Sequence, residues 1–439
     1  MVLSFVLNNG FRINDQYWVK DLGGAAQAAI GSSTILLIMN FAVAFLSIGG
    51  SMPLIARATG AGNREERDTV IRHTFLLTGV ISVLLGVLGW SFADELTGLF
   101  EVDSDVAPLM TTYMSAIYLG ILPLMFAPLL DNLFIGMGNS KLPMIMQVLA
   151  VGLNLVLNPV LIYGSWAPEW VGIGSGFGIA GAAVATCISR GVAGLFGIVM
   201  LRKLYGVRFG LSGSPQVARM LQILRLGFPV ALSIAIYAGV YGVLFALVLG
   251  PLGKDVGAGF SIGFNAFESV SYPFALGVAM AGASLVGRNL GAGSEQGAWQ
   301  TVRHVRFMGR AVGLSFALIF YYGGPHIVPL FTDDSGVTLE ALRYVGILAW
   351  SQVLVSEEVI HEKILFGAGH PRAIVWISTL GNLLRIPLGW FLAVDLGYGA
   401  AGLWWTINVT SLIKAVLLNL AVRRGNWVRP IGGSLSAGA

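Results

Sequence analysis

The chain has 439 residues, 56% of them hydrophobic and only 11% charged, with a formal net charge of +4 and a mean hydropathy of +0.78. Soluble domains carry about 25% charged residues, so this chain cannot clothe a water-facing surface and reads as a polytopic, all-α membrane protein. The small, dispersed positive charge excludes a nucleic-acid binder, and the single cysteine, Cys187, excludes an intrachain disulfide or a cysteine-based metal site.

Apolar runs between charged or Gly/Pro-rich breaks predict twelve helices. In chain order they lie near 1–19, 26–56, 71–93, 107–137, 142–164, 177–202, 222–250, 255–286, 305–323, 338–366, 371–394 and 399–423. A span needs about 20 residues, and several of these are long enough to tilt. No cleavable leader is visible at the start, and helix 1 reads as shortened at its beginning. The breaks after the even-numbered helices are basic: Arg57, Arg64, Arg67 and Arg72, then Lys141, then Arg202, Lys203, Arg208, Arg219 and Arg225, then Arg288 and Arg303, then Lys363 and Arg372. The odd-numbered breaks are mainly acidic, with Asp94, Glu95, Glu101, Asp103, Asp105, Glu169, Asp333, Asp334 and Glu340; Lys20, Lys254 and Arg343 are exceptions. By the positive-inside rule the even breaks and both termini are expected in the cytoplasm, in a multi-pass cell (inner) membrane protein.

The chain also repeats itself. RATGAGNREERDTVIRH at 57–73 matches RNLGAGSEQGAWQTVRH at 288–304, so that Arg57, Gly60, Gly62 and His73 each recur 231 residues later. Gly136 and Gly138 recur as Gly367 and Gly369 at the same offset, and GFGIAG at Gly176 recurs as GYGAAG at Gly397 at an offset of 221. Six helices per copy is an even number, so the copies are expected to run parallel, related by an axis along the membrane normal, with a cleft between them. The expected organisation is an N-terminal lobe over 1–205, a linker over 206–221, a C-terminal lobe over 222–425 and a tail over 426–439.

These segments resemble the multidrug and toxic compound extrusion (MATE) transporters over nearly the whole chain. The resemblance rests on NDQYWVKDLGGAAQAA (14–29), IARATGAGNREE (55–66), GMGNSKLP (136–143), NLVLNPVLIYG (154–164), LVGRNLGAG (285–293), GAGHPR (367–372) and RIPLGW (385–390). It implies two six-helix lobes and export of amphipathic, often cationic compounds driven by inward flow of H+ or Na+. The wider superfamily also holds flippases for lipid-linked oligosaccharide or peptidoglycan precursors, which is the second reading. The expected partners are small organic molecules and the bilayer, in a monomer without cofactor.

Asp15 in helix 1 is the first candidate site residue. A carboxylate inside an apolar span is costly and marks ion or proton paths, and it matches the acidic residue that the family carries in helix 1. The alternative is an interfacial Asp capping the short loop at Lys20–Gly24. Asn154 and Asn158 in helix 5 are four apart and share a face. Either can bond Asp15 or offer a carbonyl oxygen to a cation, or simply glue helices at about 0.6 kcal/mol per contact. Thr186 in helix 6 is a further candidate. Many relatives carry an aspartate where Asn158 stands, a departure that favours H+ over tightly bound Na+. Near the position where some relatives carry a glutamate in helix 7, this chain has Tyr237.

In the second copy Glu268 is an intramembrane carboxylate suited to a cation or proton. Glu358, His361 and Glu362 fall at i, i+3 and i+4 and share a helix face, a pattern that suits a proton relay or a structural role. HEKIL lacks the second histidine of a zinc motif, so no metal is expected there. Asp131 stands at the repeat position of Glu362, as a structural pair. Arg190 and Arg385, inside spans, are expected to neutralise nearby acids. The GAG segments lack the lysine and hydroxyl of a phosphate loop and are expected to end long helices, the glycine supplying positive φ. An intramembrane enzyme would need a clustered nucleophile and base, and none appears.

Overall fold

The computed structural model describes residues 1–100, 102–164, 176–207 and 216–429. Glu101, Glu169, Arg208, half of the expected linker and the last ten residues of the tail fall outside the described residues. Within them the chain runs from helix to helix without a strand. The first six are α1 (Val2–Val19), α2 (Gly24–Gly60), α3 (Arg64–Ser91), α4 (Ala107–Leu119 and Ile121–Gly136, bent by 60°), α5 (Lys141–Tyr163) and α6 (Ile179–Tyr205). The second six are α7 (Val217–Leu249), α8 (Lys254–Gly291), α9 (Glu295–Leu330), α10 (Ser335–Ala349 and Ser351–Gly367), α11 (Pro371–Asp395) and α12 (Gly399–Arg423).

Among the described residues nine of these helices are long and apolar enough to cross a membrane, and the bent pair α4 makes ten. The other two are α1, which carries Asn8, Asn14 and Asp15, and α10, which breaks at Trp350 and carries Glu357, Glu358 and Glu362. α1 is too polar for that measure, and the break leaves α10 as two helices of 15 and 17 residues, each too short for it; polar groups inside a membrane bundle are where function concentrates.

The duplication is visible in how the helices begin and how deep they lie. Asn63 caps α3 by accepting from the Glu66 N–H, and its repeat partner Ser294 caps α9 by accepting from the Gly297 N–H. Gly62 (φ 68°) and Gly293 (φ 72°) supply the left-handed step that ends the preceding helix, as the GAG segments lead one to expect. In both α3 and α9 only 22% of the apolar window is buried in protein, against 56% in α2 and 67% in α8. So α3 and α9 turn most of their apolar surface outward, where α3 shows Val80, Val83, Leu84, Val87 and Leu88, while α2 and α8 are enclosed.

By contact density the chain forms two compact units. The N-half unit holds Val6–Ile55 and Asn63–Ala231; the C-half unit holds Met1–Phe5, Ala56–Gly62 and Leu232–Ala439. In the N-half unit α5 packs along α6, and α4 packs on both α3 and α6. The start of α7 is tied to α3 by a 2.8 Å Arg219–Glu66 ion pair and by the Gln216 N–H donating to His73 Nε2.

In the C-half unit α8 packs against α9 and α10, and α10 against α12. Its core centres on buried Trp404, Tyr344, Phe320 and Phe267, with the Tyr344 and Trp404 rings edge-on at 4.7 Å. The last residues of α2, which belong to this unit, cross the end of α8 so closely that only glycine fits. A Cβ on Gly60 would stand 1.9 Å from the Arg288 carbonyl oxygen, and one on Gly291 would stand 2.0 Å from that of Arg57. The duplicated motif thus meets its own copy, and Arg57 adds a 2.8 Å hydrogen bond to the Ala368 carbonyl at the end of α10.

All four π-helical turns among the described residues lie in the second half, at Phe245–Leu249, Gly263–Glu268, Ile319–Gly323 and Phe391–Asp395. Such turns shift the side-chain register along a helix and often accompany sites.

Candidate functional site

Asp15 lies in the last turns of α1 and is 5% exposed. It does not cap the loop that follows. Instead, Asn158 Nδ2 on α5 donates to its Oδ1 at 2.8 Å, Asn154 Nδ2 donates to the same atom at 3.3 Å, and Thr186 Oγ1 on α6 donates to Oδ2 at 3.1 Å. The four residues singled out in the first half therefore meet in one cluster. The helical repeat explains the meeting: Asn154 and Asn158 are one turn apart on α5 and face the same way.

Asn154 is the hub. It also accepts from Asn14 Nδ2 at 2.8 Å and donates to Thr186 Oγ1 at 3.1 Å. Asn14 in turn accepts from Trp18 Nε1, and the Tyr163 hydroxyl donates to the Trp18 carbonyl. Asn14 went unnoticed in the sequence because it stands beside Asp15 and no spacing rule marks it.

Every donor to Asp15 among the described side chains is neutral. No basic nitrogen lies within 4 Å of its carboxylate among the described residues. Arg190, one turn beyond Thr186, donates instead to Asn8 Oδ1 at 2.9 Å and lies 4.3 Å over the Phe11 ring. Among the described residues one acceptor in the cluster is orphaned: Asn158 Oδ1 is buried and has no hydrogen-bond partner. A buried acceptor without a donor is costly. No group of three or more His, Cys, Asp or Glu side chains suited to a metal ion occurs among the described residues.

The second-half candidates do not form one cluster. Glu268, at the end of the π turn Gly263–Glu268, accepts from the Tyr344 hydroxyl at 2.9 Å. Tyr237 is 40% exposed and its ring lies 4.7 Å from that of Tyr241. The helix-face grouping of Glu358, His361 and Glu362 dissolves into three separate partnerships. Glu358 accepts from Lys414 Nζ on α12 at 2.7 Å, His361 Nδ1 meets the Glu357 carbonyl at 2.6 Å, and Glu362 accepts from Lys363 Nζ at 2.6 Å. Asp131, the repeat counterpart of Glu362, accepts from Gln147 Nε2 at 2.7 Å in the N-half unit.

Two buried cations complete the C-half interior. Lys414 is 2% exposed and bonds Asn382 Oδ1 in addition to Glu358. It escaped the sequence reading, although an intramembrane lysine is the same kind of signal as Asp15. Arg385 is 3% exposed and is held by hydroxyls alone: Nε donates to Thr410 Oγ1 (3.0 Å), Nη1 to the Tyr241 hydroxyl (3.0 Å) and Nη2 to Ser411 Oγ (3.2 Å). Neither Arg190 nor Arg385 has a carboxylate oxygen within 4 Å among the described residues; Arg190 acts on Asp15 and Asp131, and Arg385 on Glu268 and Glu358, through space rather than by contact.

Compared with known proteins, the chain matches the family model MatE over residues 1–160 and 216–391. Among solved structures it is similar to an outward-facing multidrug resistance MATE family transporter of the MOP superfamily, at 23% identity and a TM-score of 0.87, covering 97% of this chain and 93% of that one. It is similar to a MOP superfamily transporter from Pyrococcus furiosus Vc1 whose binding pocket is described as reversed in polarity, at 22% identity and a TM-score of 0.87, covering 98% and 95%. The eukaryotic MATE transporter AtDTX14 matches at 18% identity and a TM-score of 0.85, covering 98% and 94%. At these identities the likeness is one of fold: twelve helices in two repeats.

Proposed function

This chain belongs to the MatE family, and on that premise we propose that it is a secondary active antiporter that exports amphipathic, cationic organic compounds in exchange for H+, with Asp15 as the coupling group. The observation that carries the reading is the Asp15 cluster, a buried carboxylate with, among the described residues, neutral donors alone around it and one orphaned acceptor, Asn158 Oδ1, beside it.

The cluster has two complementary hydrogen-bonded states. With Asp15 ionised, Asn154, Asn158 and Thr186 donate to it, as observed. With Asp15 protonated, its O–H becomes a donor, and a turned Asn158 amide offers Oδ1 to receive it. Proton binding then removes a buried charge and reverses the direction of the Asn158–Asp15 hydrogen bond, which shifts how α1 packs on α5 and α6. In the proposed cycle the substrate enters from the cytoplasm, the repeats rock, and proton uptake from outside releases the substrate.

A sodium ion would need several oxygens turned toward it. Asn154 and Asn158 instead turn N–H groups to the carboxylate, which favours H+ over Na+. The deciding experiment is efflux of a cationic dye from proteoliposomes under an imposed ΔpH and, separately, an imposed Na+ gradient. Export under ΔpH alone supports the reading; export under the Na+ gradient alone overturns the choice of ion; export under neither overturns the antiporter.

A further inference from the structure

The second copy holds a buried charge of the opposite sign to Asp15. Its α11 repeats α5: Pro143, Asn154 and Pro159 recur 228 residues later as Pro371, Asn382 and Pro387. Asn382 therefore stands where Asn154 stands, and Arg385, three residues on, takes the place of the apolar Leu157. The residues around its guanidinium, from α7 and α12, are hydroxyls.

Packing alone does not account for this arrangement. A cation taken out of water needs an anionic partner to offset the loss of hydration. The acids nearest in the network are committed elsewhere: Glu358 to Lys414, and Glu268 to the Tyr344 hydroxyl. Arg385 uses one hydrogen bond from each of its three nitrogens, all to hydroxyl oxygens. A guanidinium carries five N–H donors, so donors remain for an incoming oxyanion.

The tyrosines beside Arg385 lead from it to exposed surface. Tyr241 holds Nη1 and lies against Tyr237, which is 40% exposed, and Tyr272 on α8 is 44% exposed. Tyrosine hydroxyl and ring surfaces together suit an amphipath with one polar end. Pro387 adds local freedom, because it has no N–H to give the Leu383 carbonyl four residues before it, and the helix breaks at Leu384, beside Arg385.

We propose that Arg385, with Tyr241, Thr410 and Ser411, forms a binding site for the oxyanion end (carboxylate, sulfonate or phosphate) of an amphipathic substrate, the Tyr241 hydroxyl giving way to it. The proposal rests on the transporter reading for its biological setting and extends the substrate class beyond cations. A free aromatic acid and a lipid-borne phosphate share this chemistry.

The test is binding, so it does not depend on transport. Purified full-length protein is titrated with 1-naphthalenesulfonate, with farnesyl phosphate, and with uncharged 1-naphthalenemethanol. One or both anions should bind at least about tenfold more tightly than the alcohol, a discrimination of the size a charge-assisted pair supplies. The anion that binds identifies the source. Arg385→Gln should abolish that preference, while Arg343→Gln, at an exposed ion pair with Glu340, should leave it intact.

Because Arg385→Gln removes a buried hydrogen-bonding group, Tyr241→Phe is the second arm. It frees Nη1 of its competitor and should tighten anion binding severalfold, whereas a purely structural tyrosine would give no gain. Equal binding of anion and alcohol, or unchanged or weaker anion binding by Tyr241→Phe, overturns the proposal. Dye export under ΔpH that persists alongside such a result would leave the antiporter reading standing, and the two failures are thereby told apart.

Discussion

In the N-half unit the group of interest is Asp15 on α1, met by amides of α5 and a hydroxyl of α6; in the C-half unit it is Arg385 on α11, met by hydroxyls of α7 and α12. The helix caps and the glycine turns at the helix ends stayed alike in both copies, as Asn63 and Ser294 or Gly62 and Gly293 show. The polar interiors did not. The comparison teaches that a duplicated membrane scaffold keeps the features that end and cross helices, because backbone geometry leaves them no alternative. The few interior polar positions are free to take opposite charges.

The largest effect expected from breaking this comparison is at Asp15. Asp15→Asn keeps the size and the hydrogen-bonding capacity but removes the titrating group. It should abolish ΔpH-driven dye export, with the protein still inserted and monodisperse by size-exclusion chromatography. Export at the wild-type rate would remove Asp15 from the mechanism.

The C-half interior sharpens the contrast through Lys414, which pairs with a carboxylate where Arg385, among the described residues, is held by hydroxyls. Lys414→Ala leaves Glu358 buried without its partner and should cost about 3–5 kcal/mol, read as a fall in the melting temperature of the detergent-solubilised protein. Lys414→Met combined with Glu358→Gln removes both charges and should recover most of that loss. Failure of the double variant to recover would mean that the pair does not act as a unit.

A smaller effect tests the shared scaffold. Gly291→Ala forces a methyl onto the Arg57 carbonyl and should cost about 1–3 kcal/mol. Gly346→Ala on α10 meets nothing within 4 Å and should be neutral or stabilising by up to about 1 kcal/mol. Equal melting temperatures for the two variants would contradict the close crossing.

The smallest effect lies outside the spans, at His370 between α10 and α11. Burial, with the Arg57 charge adding to it, holds its imidazole below the usual histidine range, while the Arg429 carbonyl opposes the shift. A histidine whose folded pKa is depressed stays neutral in the fold. Its contribution is full above about pH 6.5, the unfolded value, and is lost as pH falls toward the folded value, where the unfolded chain binds the extra proton. Wild type should therefore lose slightly more melting temperature between pH 7.5 and 5.5 than His370→Gln; identical losses would remove His370 as the cause.

Much of this was legible beforehand. Hydropathy and the alternation of basic and acidic breaks gave twelve helices, because the bilayer imposes length and polarity on each span. The Asp15 cluster was legible because an intramembrane carboxylate is conspicuous and because Asn154 and Asn158 share a face by helical repeat alone. The partners of Glu358, His361 and Glu362 were not legible. Sharing a face does not say whether a partner comes from another helix, as Lys414 does from α12, or from the same one, as Glu357 and Lys363 do from α10. The hydroxyl cage of Arg385 was likewise hidden, since it depends on how α7, α11 and α12 are rotated against one another. The π turns of the second half move that rotation away from the ideal repeat.

The coupling role of Asp15 is tested most directly by counting protons as substrate binds. Purified protein in weakly buffered detergent solution, near the midpoint of its proton uptake, is mixed with a saturating cationic dye while a pH indicator is followed. The antiport account predicts release of up to about one proton per protein in wild type and none in Asp15→Asn. Equal release by both proteins, or dye binding to wild type with no release at any pH, would contradict it.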